Sequence, residues 1–166
     1  SYYFVPPPEK DKQPFYDALE NNHAIYFTSK QGCVYEYNPD TGQFVRQEFP
    51  TSSSIKTIRQ LKKDKLFIGT ASDGFFVYEQ SSGNHRHYNT RNYPSLKDNQ
   101  IKAAYIDTNG EAWIRLSTKG VTHFNPENEQ FDHFILQDKY GKDIVDSRPE
   151  MYIYEDGNGS LWVHPS

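Results

Sequence analysis

The chain contains residues of the types that bind metals, but few of them have the spacing that metal binding needs. His85 and His87 in "HRH" place two imidazoles on one face of a strand, yet no third ligand with a supporting pattern follows. The segments "DTNGE" and "DGNGS" place oxygen ligands at alternating positions, as the first half of a calcium loop does. Neither segment is followed by a Glu at the distance where an EF-hand has its bidentate ligand. Surface histidines and hairpin turns explain these patterns better, so we expect no metal and no cofactor.

The motifs of common catalytic sites are also missing from the sequence. It contains no Gly-x-Ser-x-Gly elbow, no Cys-His arrangement, no phosphate-cradling Gly loop, no paired-carboxylate motif and no kinase signature. Cys33, within "KQGCVYEY", is most simply a small buried residue. We therefore expect no catalytic residue in this chain.

Composition indicates a single all-β domain that does not bind nucleic acid. Aromatic residues make up 16% of the 166 residues, with 13 Tyr and 11 Phe, and flat rings pack well across pleated strands. The net charge is −4, and no basic run is long enough to follow a phosphate backbone. No segment approaches the roughly 20 apolar residues that span a bilayer, and "SYYFVPPPEK" lacks the features of a signal peptide.

Three stretches of the chain, beginning at Ser54, Gln100 and Glu150, repeat one another. The first two stretches share one constant separation between counterparts: Ile55 and Ile101, Phe67 and Trp113, Gly74 and Gly120. The third stretch comes slightly later, because the polar segment "QDKYGKDIVDSRP" is inserted before it. An upstream stretch, "AIYFTSKQGCVYEYNPDTGQFVRQEF", matches the later part of the unit but is one residue longer between its glycine and its turn.

Each unit is predicted to contain four short antiparallel strands. In the Gln100 stretch the strands are "IKAAYI", "EAWIRL", "VTHFN" and "FDHFIL", separated by the turns "DTNG", "STKG" and "PENEQ". Some strands are apolar on both faces, which is expected when each sheet lies between two others. The predicted repeats cover about 24–50, 54–90, 100–136 and 149–166, the last one incomplete. Residues 1–23, with a triple Pro and at most a helical turn or two, are expected to be a connection or the tail of a preceding unit.

These repeats resemble the two-component regulator propeller. The stretches "DTNGEAWIRLSTKGVTHFN" and "DGNGSLWVHPS" match its Asp-x-x-Gly-x-x-Trp core, and "KLFIGTASDGFFVYE" keeps its Ile-Gly-Thr with Phe67 in place of Trp. The resemblance implies an all-β fold: a β-propeller fragment of about three to four blades, each a four-stranded antiparallel sheet. Because "GNGSLWVHPS" ends within a repeat, we expect a piece of a ring of typically 4–8 blades.

The same resemblance implies a sensory function. Such repeats are similar to those in the periplasmic sensor regions of hybrid two-component systems, which carry a histidine kinase and a response regulator on one polypeptide. In gut glycan-degrading bacteria these regions typically bind breakdown products of a polysaccharide. The implied partners are an oligosaccharide and the remaining blades of a membrane-anchored parent protein. Unpaired edge strands would also allow a homodimer. The resemblance also implies that this chain is not an enzyme, since the kinase lies outside it.

Arg115 and His164 are the candidate ligand-binding residues. Both occupy the position at which the Ser54 stretch has Gly69, and a polar side chain in place of a small residue marks a candidate functional site. The alternative is that this position reaches solvent at a strand end. Glycans are bound by planar polar groups beside aromatic faces, so Arg115 near a Tyr or Trp would suit them.

Phe67, Trp113, Trp162, Gly74 and Gly120 are expected to form the structural core of the repeat. Trp113 and Trp162 could be sugar-stacking platforms, but they share the repeat position of Phe67 in the most apolar strand, which favours packing between blades.

Two other classes of function stay open at this point. A protein-interaction scaffold would be favoured by large exposed aromatic patches. A glycan-active propeller enzyme, such as a lyase or glycosidase, would need convergent acids or bases on the central funnel. Asp107 and Asp156, which lie in turns, are a poor match for that requirement.

Overall fold

The computed structural model describes residues 15–21, 24–62, 64–118, 120–143 and 151–165. These residues form four antiparallel sheets, each built from consecutive strands. Sheet 1 contains β1 (Ala18–Asn21), β2 (Ala24–Thr28), β3 (Cys33–Asn38) and β4 (Gln43–Glu48). Sheet 2 contains β5 (Ile55–Gln60), β6 (Lys65–Thr70), β7 (Phe75–Glu79) and β8 (His85–Tyr88). Sheet 3 contains β9 (Ile101–Ile106), β10 (Ala112–Leu116), β11 (Val121–Asn125) and β12 (Gln130–Phe134), and sheet 4 contains β13 (Met151–Glu155) and β14 (Leu161–Pro165).

The sheets are stacked in the manner of propeller blades. The first strands of successive sheets, β1, β5, β9 and β13, lie side by side, and the later strands of each sheet lie progressively farther outward. The described residues therefore form part of a β-propeller, with three complete blades and two strands of a fourth. A 3₁₀ turn at Pro94–Leu96 lies between sheets 2 and 3. Within the described ranges no helix is long and apolar enough to cross a membrane.

Sheet 2 is apolar on both faces because another sheet covers each of them. In β6, Leu66 and Ile68 point into a core shared with sheet 1, whereas Phe67 between them points into a core shared with sheet 3. Phe67 stacks on Phe75 with a centroid separation of 4.6 Å, and Phe75 also contacts Phe124 of sheet 3 at 5.0 Å. The continuous apolar run of β6 thus follows from a sheet buried on both sides.

One register relates the four sheets. Trp113 lies opposite His123 in the same way that Phe67 lies opposite Val77 and Tyr26 lies opposite Glu36. We call this place on the second strand of each sheet the aromatic position; its members are Tyr26, Phe67, Trp113 and Trp162. In sheets 1 to 3 it faces the next sheet along the chain. Tyr26 is 3% exposed, Phe67 is fully buried, Trp113 is half-buried and Trp162 is 54% exposed.

Trp162 therefore departs from the expectation of core packing. The face of sheet 4 that carries Trp162 has no further sheet over it in the described part of the chain, so its ring lies open beside Tyr154, with centroids 6.4 Å apart. Phe67 and Trp113 each face a following sheet.

Glycine is required where the second strand turns into the third. Gly74 and Gly120 have φ of 69° and 91°, and the equivalent Gly32 has 65°. A Cβ at Gly74 would lie 2.0 Å from the carbonyl oxygen of Tyr88, and one at Gly120 would lie 2.1 Å from that of Phe134. Both the positive φ and the close backbone contact exclude any side chain there.

The four strands predicted for the third repeat are confirmed, and sheet 1 begins earlier than the sequence suggested. β1 lies within residues 1–23, which were expected to be a connection or the tail of a preceding unit, and it pairs with β2 from Ala18 opposite Phe27 to Asn21 opposite Ala24. Within "PFYDALENN", for which at most a helical turn or two was expected, Ala18–Asn21 form a strand, because their backbone groups pair with the edge of β2. Residues 1–14 and 22–23 lie outside the described residues.

Glu129 fastens the outer strands of sheets 2 and 3. It lies in the β11–β12 turn with φ of 60°, and its carboxylate accepts hydrogen bonds from the Tyr88 hydroxyl at 2.7 Å and from the Arg86 guanidinium. These bonds, from Tyr88 first and then Arg86, lower the pKa of Glu129. Burial and the neighbouring carboxylate raise the pKa of the Tyr88 hydroxyl.

Candidate functional site

The repeated Asp of the first turn in sheets 3 and 4 anchors both the turn and the tryptophan that follows it. Asp107 Oδ1 accepts the backbone N–H groups of Asn109 at 2.9 Å and Glu111 at 3.0 Å, while its Oδ2 accepts the indole N–H of Trp113 at 2.9 Å. The motif Asp-x-x-Gly-x-x-Trp therefore encodes one carboxylate that closes a tight turn and orients the ring six residues later.

Asp156 repeats this arrangement in sheet 4. It accepts the backbone N–H groups of Asn158 and Ser160, each at 2.9 Å, and the indole N–H of Trp162 at 2.8 Å. The indole, followed by the two backbone groups, lowers the pKa of Asp156. A carboxylate held in this way is a poor general acid.

Arg115 is buried rather than solvent-exposed. It is 8% exposed, in contrast to the strand-end alternative, and it lies in β10 opposite Ala103 of β9 and Val121 of β11. The same position in sheet 2 is Gly69, where a Cβ would lie 2.5 Å from Thr57 Cγ2 and 2.8 Å from Ile101 Cγ2. Sheets 2 and 3 are thus too close for a side chain at this position, whereas the interface between sheets 3 and 4 has room for a guanidinium.

That room is a cavity of about 250 Å³ at the inner strands, which we call the inner cavity. Three sheets contribute to it: Arg59 comes from β5, Tyr105, Trp113 and Arg115 come from sheet 3, and Tyr152 comes from β13. Two guanidinium groups and three aromatic residues therefore share one cavity. This is the proximity between Arg115 and aromatic rings that glycan binding would require.

Arg59 connects the inner cavity to sheet 1. Its guanidinium pairs with Asp17, which also accepts hydrogen bonds from Thr57 Oγ1 at 3.2 Å and from the backbone N–H of Ile58 at 3.0 Å. Arg59 is thus joined to Asp17, the residue that directly precedes β1.

The sequence analysis missed Arg59, Tyr105 and Tyr152 as cavity residues. Arg59 lies opposite Phe67, and Tyr105 lies opposite Trp113, so both occupy one register position on the first strand of their sheets. The strand pairing within the repeat would have identified this position, whereas a search for motifs did not.

The second candidate, His164, is only partly described. Its backbone pairs with that of Tyr152, which is a cavity residue, but its side chain lies outside the described residues. The structure thus places Arg115 in the cavity, and the role expected of His164 stays a prediction.

The two histidines of "HRH" both lie beside Phe76. His85 is exposed, whereas the His87 ring stacks on Phe76 at 4.1 Å and its Nε2 lies 2.7 Å from the carbonyl oxygen of Asp73. These contacts are those of strand histidines that pack against their neighbours.

The chain is similar to solved structures of β-propellers. The extracellular domain of a putative hybrid two-component system from B. thetaiotaomicron is 19% identical, with a TM-score of 0.70 over 90% of this chain and 20% of that chain. A second such domain from the same organism is 18% identical, with a TM-score of 0.67 over 90% of this chain and 20% of that one. Virginiamycin B lyase from Staphylococcus aureus is 12% identical, with a TM-score of 0.71 over 93% of this chain and 50% of the lyase.

These comparisons establish the propeller fold. This chain spans only 20% of the length of each of the two extracellular domains. A lyase and two extracellular domains of putative two-component systems share the fold to a similar degree, so function has to be argued from the site. No protein-family model and no curated protein matches the chain.

Proposed function

We propose that this chain is a non-catalytic segment of the periplasmic sensor region of a hybrid two-component system, and that it binds an oligosaccharide in the inner cavity. The observation that carries the proposal is the burial of Arg115 in a cavity that is also lined by Trp113 and two tyrosines. Aromatic faces and planar hydrogen-bond donors are the groups that bind the apolar faces and hydroxyls of sugars. The similarity in fold to two extracellular domains of hybrid systems supports the same assignment.

Signalling requires a ligand that prefers one arrangement of the blades over another. The inner cavity is suited to this because its lining comes from three successive sheets. An oligosaccharide that contacts Arg59 and Tyr152 at once favours the arrangement in which sheets 2 and 4 are correctly spaced. The change is then transmitted to a kinase that lies outside this chain.

The proposal is tested by thermal-shift measurements with a panel of oligosaccharides from dietary and host polysaccharides. We expect one glycan class to raise the melting temperature, because a ligand that binds the native state stabilises it by mass action. Arg115→Ala should abolish this shift, while the exposed Arg91→Ala should keep it. Retention of the full shift by Arg115→Ala would remove the inner cavity from the proposal.

A second function is favoured by a separate observation, the exposed aromatic surface of sheet 4. Tyr154 and Trp162 are each 54% exposed and lie opposite each other on the face of the β13–β14 pair that no described sheet covers. Such a surface is typical of protein–protein contacts, including a homodimer of the sensor region. In that case the propeller acts as a scaffold.

Sedimentation velocity over a range of concentrations separates the two functions. A scaffold should form a concentration-dependent dimer that Trp162→Ser weakens at least tenfold, with no response to any glycan. A monomer that responds to a glycan would exclude the scaffold function and support the sensing function.

A further inference from the structure

A cluster of metal-ligating side chains lies on sheet 3, apart from the lining of the inner cavity. The carboxylates of Asp107 and Glu111 and the imidazole of His123 each offer an atom, and these atoms all lie within 4.8 Å of one another. All three residues are half-buried, and His123 Nε2 is 2.7 Å from Glu111 Oε2. Among the described residues this is the one group with such geometry.

The cluster is specific to sheet 3 and is not part of the blade architecture. At the equivalent positions sheet 2 has Leu61 for Asp107, Lys65 for Glu111 and Val77 for His123. A fourth position also differs between the two sheets. Arg86, the strand partner of Val77 in sheet 2, corresponds to Asp132, the strand partner of His123 in sheet 3. Two apolar and two basic residues of sheet 2 are thus replaced in sheet 3 by three carboxylates and one imidazole.

The turn itself explains only one member of the cluster. Sheet 4 keeps the turn with Asp156 but has Ser160 where sheet 3 has Glu111, and its turn closes with the same hydrogen bonds. Glu111 and His123 are therefore additional to what the turn and its tryptophan need.

We propose that Asp107, Glu111 and His123 bind a Zn²⁺ ion, with water in the fourth position. One imidazole and two carboxylates are a ligand set that suits Zn²⁺, whereas Ca²⁺ and Mg²⁺ prefer oxygen ligands alone. Zinc bonds of about 2.0–2.2 Å place tetrahedral ligand atoms about 3.3–3.6 Å apart. Rotation of the Glu111 carboxylate opens its 2.7 Å separation from His123 to this range.

In the metal-bound form, Asp132 can accept a hydrogen bond from the protonated ring nitrogen of His123. Zinc takes the Nε2 lone pair, so the ring must carry its proton on Nδ1. Asp132 Oδ2 lies 3.7 Å from Nδ1 on the neighbouring strand and can accept that proton in a hydrogen bond after a small approach. A carboxylate behind a metal-bound imidazole is the usual outer-shell arrangement, and it fixes the tautomer.

Trp113 joins the zinc site to the inner cavity. Its indole N–H donates to Asp107, its ring packs on His123 with a centroid separation of 4.5 Å, and it also lines the cavity. A bound ion therefore fixes the ring that lines the cavity, and the ring itself reports on the ion.

The test is a titration of the full 166-residue chain with ZnCl₂, free of other metals and of phosphate. Isothermal calorimetry should give one Zn²⁺ per chain. The chain has 2 Trp, so a Trp162→Phe background makes Trp113 the sole indole, and its fluorescence should change with the same saturation curve. Glu111→Gln and His123→Ala should each lower the affinity at least tenfold, and Asp132→Asn should lower it about 10–100-fold.

His133→Ala is the matched control, because His133 lies in the same sheet but on the other face, with Nδ1 2.9 Å from Thr122 Oγ1. It should bind Zn²⁺ as the unaltered chain does. Circular dichroism shows whether each variant is folded, and the near-isosteric Glu111→Gln covers the case in which His123→Ala is not. Absence of a saturable one-to-one transition, or equal affinity in the folded Glu111→Gln variant, would overturn the proposal.

Discussion

Two effects oppose a side chain at Gly120: a close contact with neighbouring backbone and the positive φ of the residue itself. A comparison with Gly42 separates the cost of the contact from the cost of the positive φ. Gly42 has φ of 70° with no atom within 4 Å of an added Cβ, whereas Gly120 has φ of 91° and a carbonyl oxygen 2.1 Å away. Gly42→Ala should cost about 1–2 kcal/mol through its left-handed backbone alone. Gly120→Ala should cost at least about 2 kcal/mol more, because the β11–β12 backbone must shift.

Urea unfolding of both glycine variants measures this difference. Equal midpoints for Gly42→Ala and Gly120→Ala would mean that the contact with Phe134 is relieved without cost.

Single residues also show where sequence reasoning reached the site and where it stopped. The comparison of Arg115 with Gly69 identified a position that lines the inner cavity, because a repeat makes a departure visible. The comparison could not show that Arg115 is buried, since this depends on the spacing between sheets 3 and 4. Likewise the constant separation of Phe67 and Trp113 identified the aromatic position, but exposure at that position depends on the sheet that follows.

At the scale of the strands, the hydrogen bonds of Glu129 with Tyr88 and Arg86 link sheets 2 and 3 in a pH-dependent way. The pKa of Glu129 is lowered in the folded chain, so its ionised form stabilises the fold above the ordinary Glu value of 4.5. This contribution is lost as the pH falls through the lowered value. Glu129→Gln should therefore destabilise the chain at neutral pH by about 1 kcal/mol, a modest amount because Arg86 is well exposed.

The expected signature is a difference between the two proteins that narrows below pH 4.5. Unfolding midpoints of wild type and Glu129→Gln, measured from pH 7 downward, give this profile. A difference that stays constant across that range would assign the effect to packing or to the positive φ at this residue instead of to charge.

The strands of sheet 3 were predictable because its turns carry Asn-Gly and Asn-Pro, and sheets 2 and 3 share the obligatory glycines Gly74 and Gly120. β1 was not, because "ALEN" is short, alternates little and follows a proline-rich stretch. Its strand conformation comes from pairing with β2, which is a tertiary effect that local propensity does not record. The proposed zinc ligands were equally hidden, since Glu111 directly precedes β10 and His123 lies on β11, so the two side chains meet only when these strands pair.

At the scale of the whole molecule, stability should follow the coverage of the aromatic position. Each sheet contacts its neighbours along the chain, so a ring contributes according to the sheet that packs on it. Phe67→Ala should cost about 3–5 kcal/mol because Phe67 is fully buried. Trp162→Ala should cost about 1 kcal/mol or less at its exposed site, with Trp113→Ala between them.

Chemical unfolding of the three alanine variants tests this order. A cost for Trp162→Ala as large as that for Phe67→Ala would show that the open face of sheet 4 is covered in solution, and it would direct attention to self-association.

The order of the strands has a consequence for synthesis. Because each sheet is made of consecutive strands, the ribosome releases complete sheets one after another, and each can pair its backbone as it emerges. The ring on the second strand, however, is buried only when the following sheet arrives. A nascent chain therefore carries one uncovered aromatic face at its growing end throughout translation, and that moving face is where a chaperone would bind.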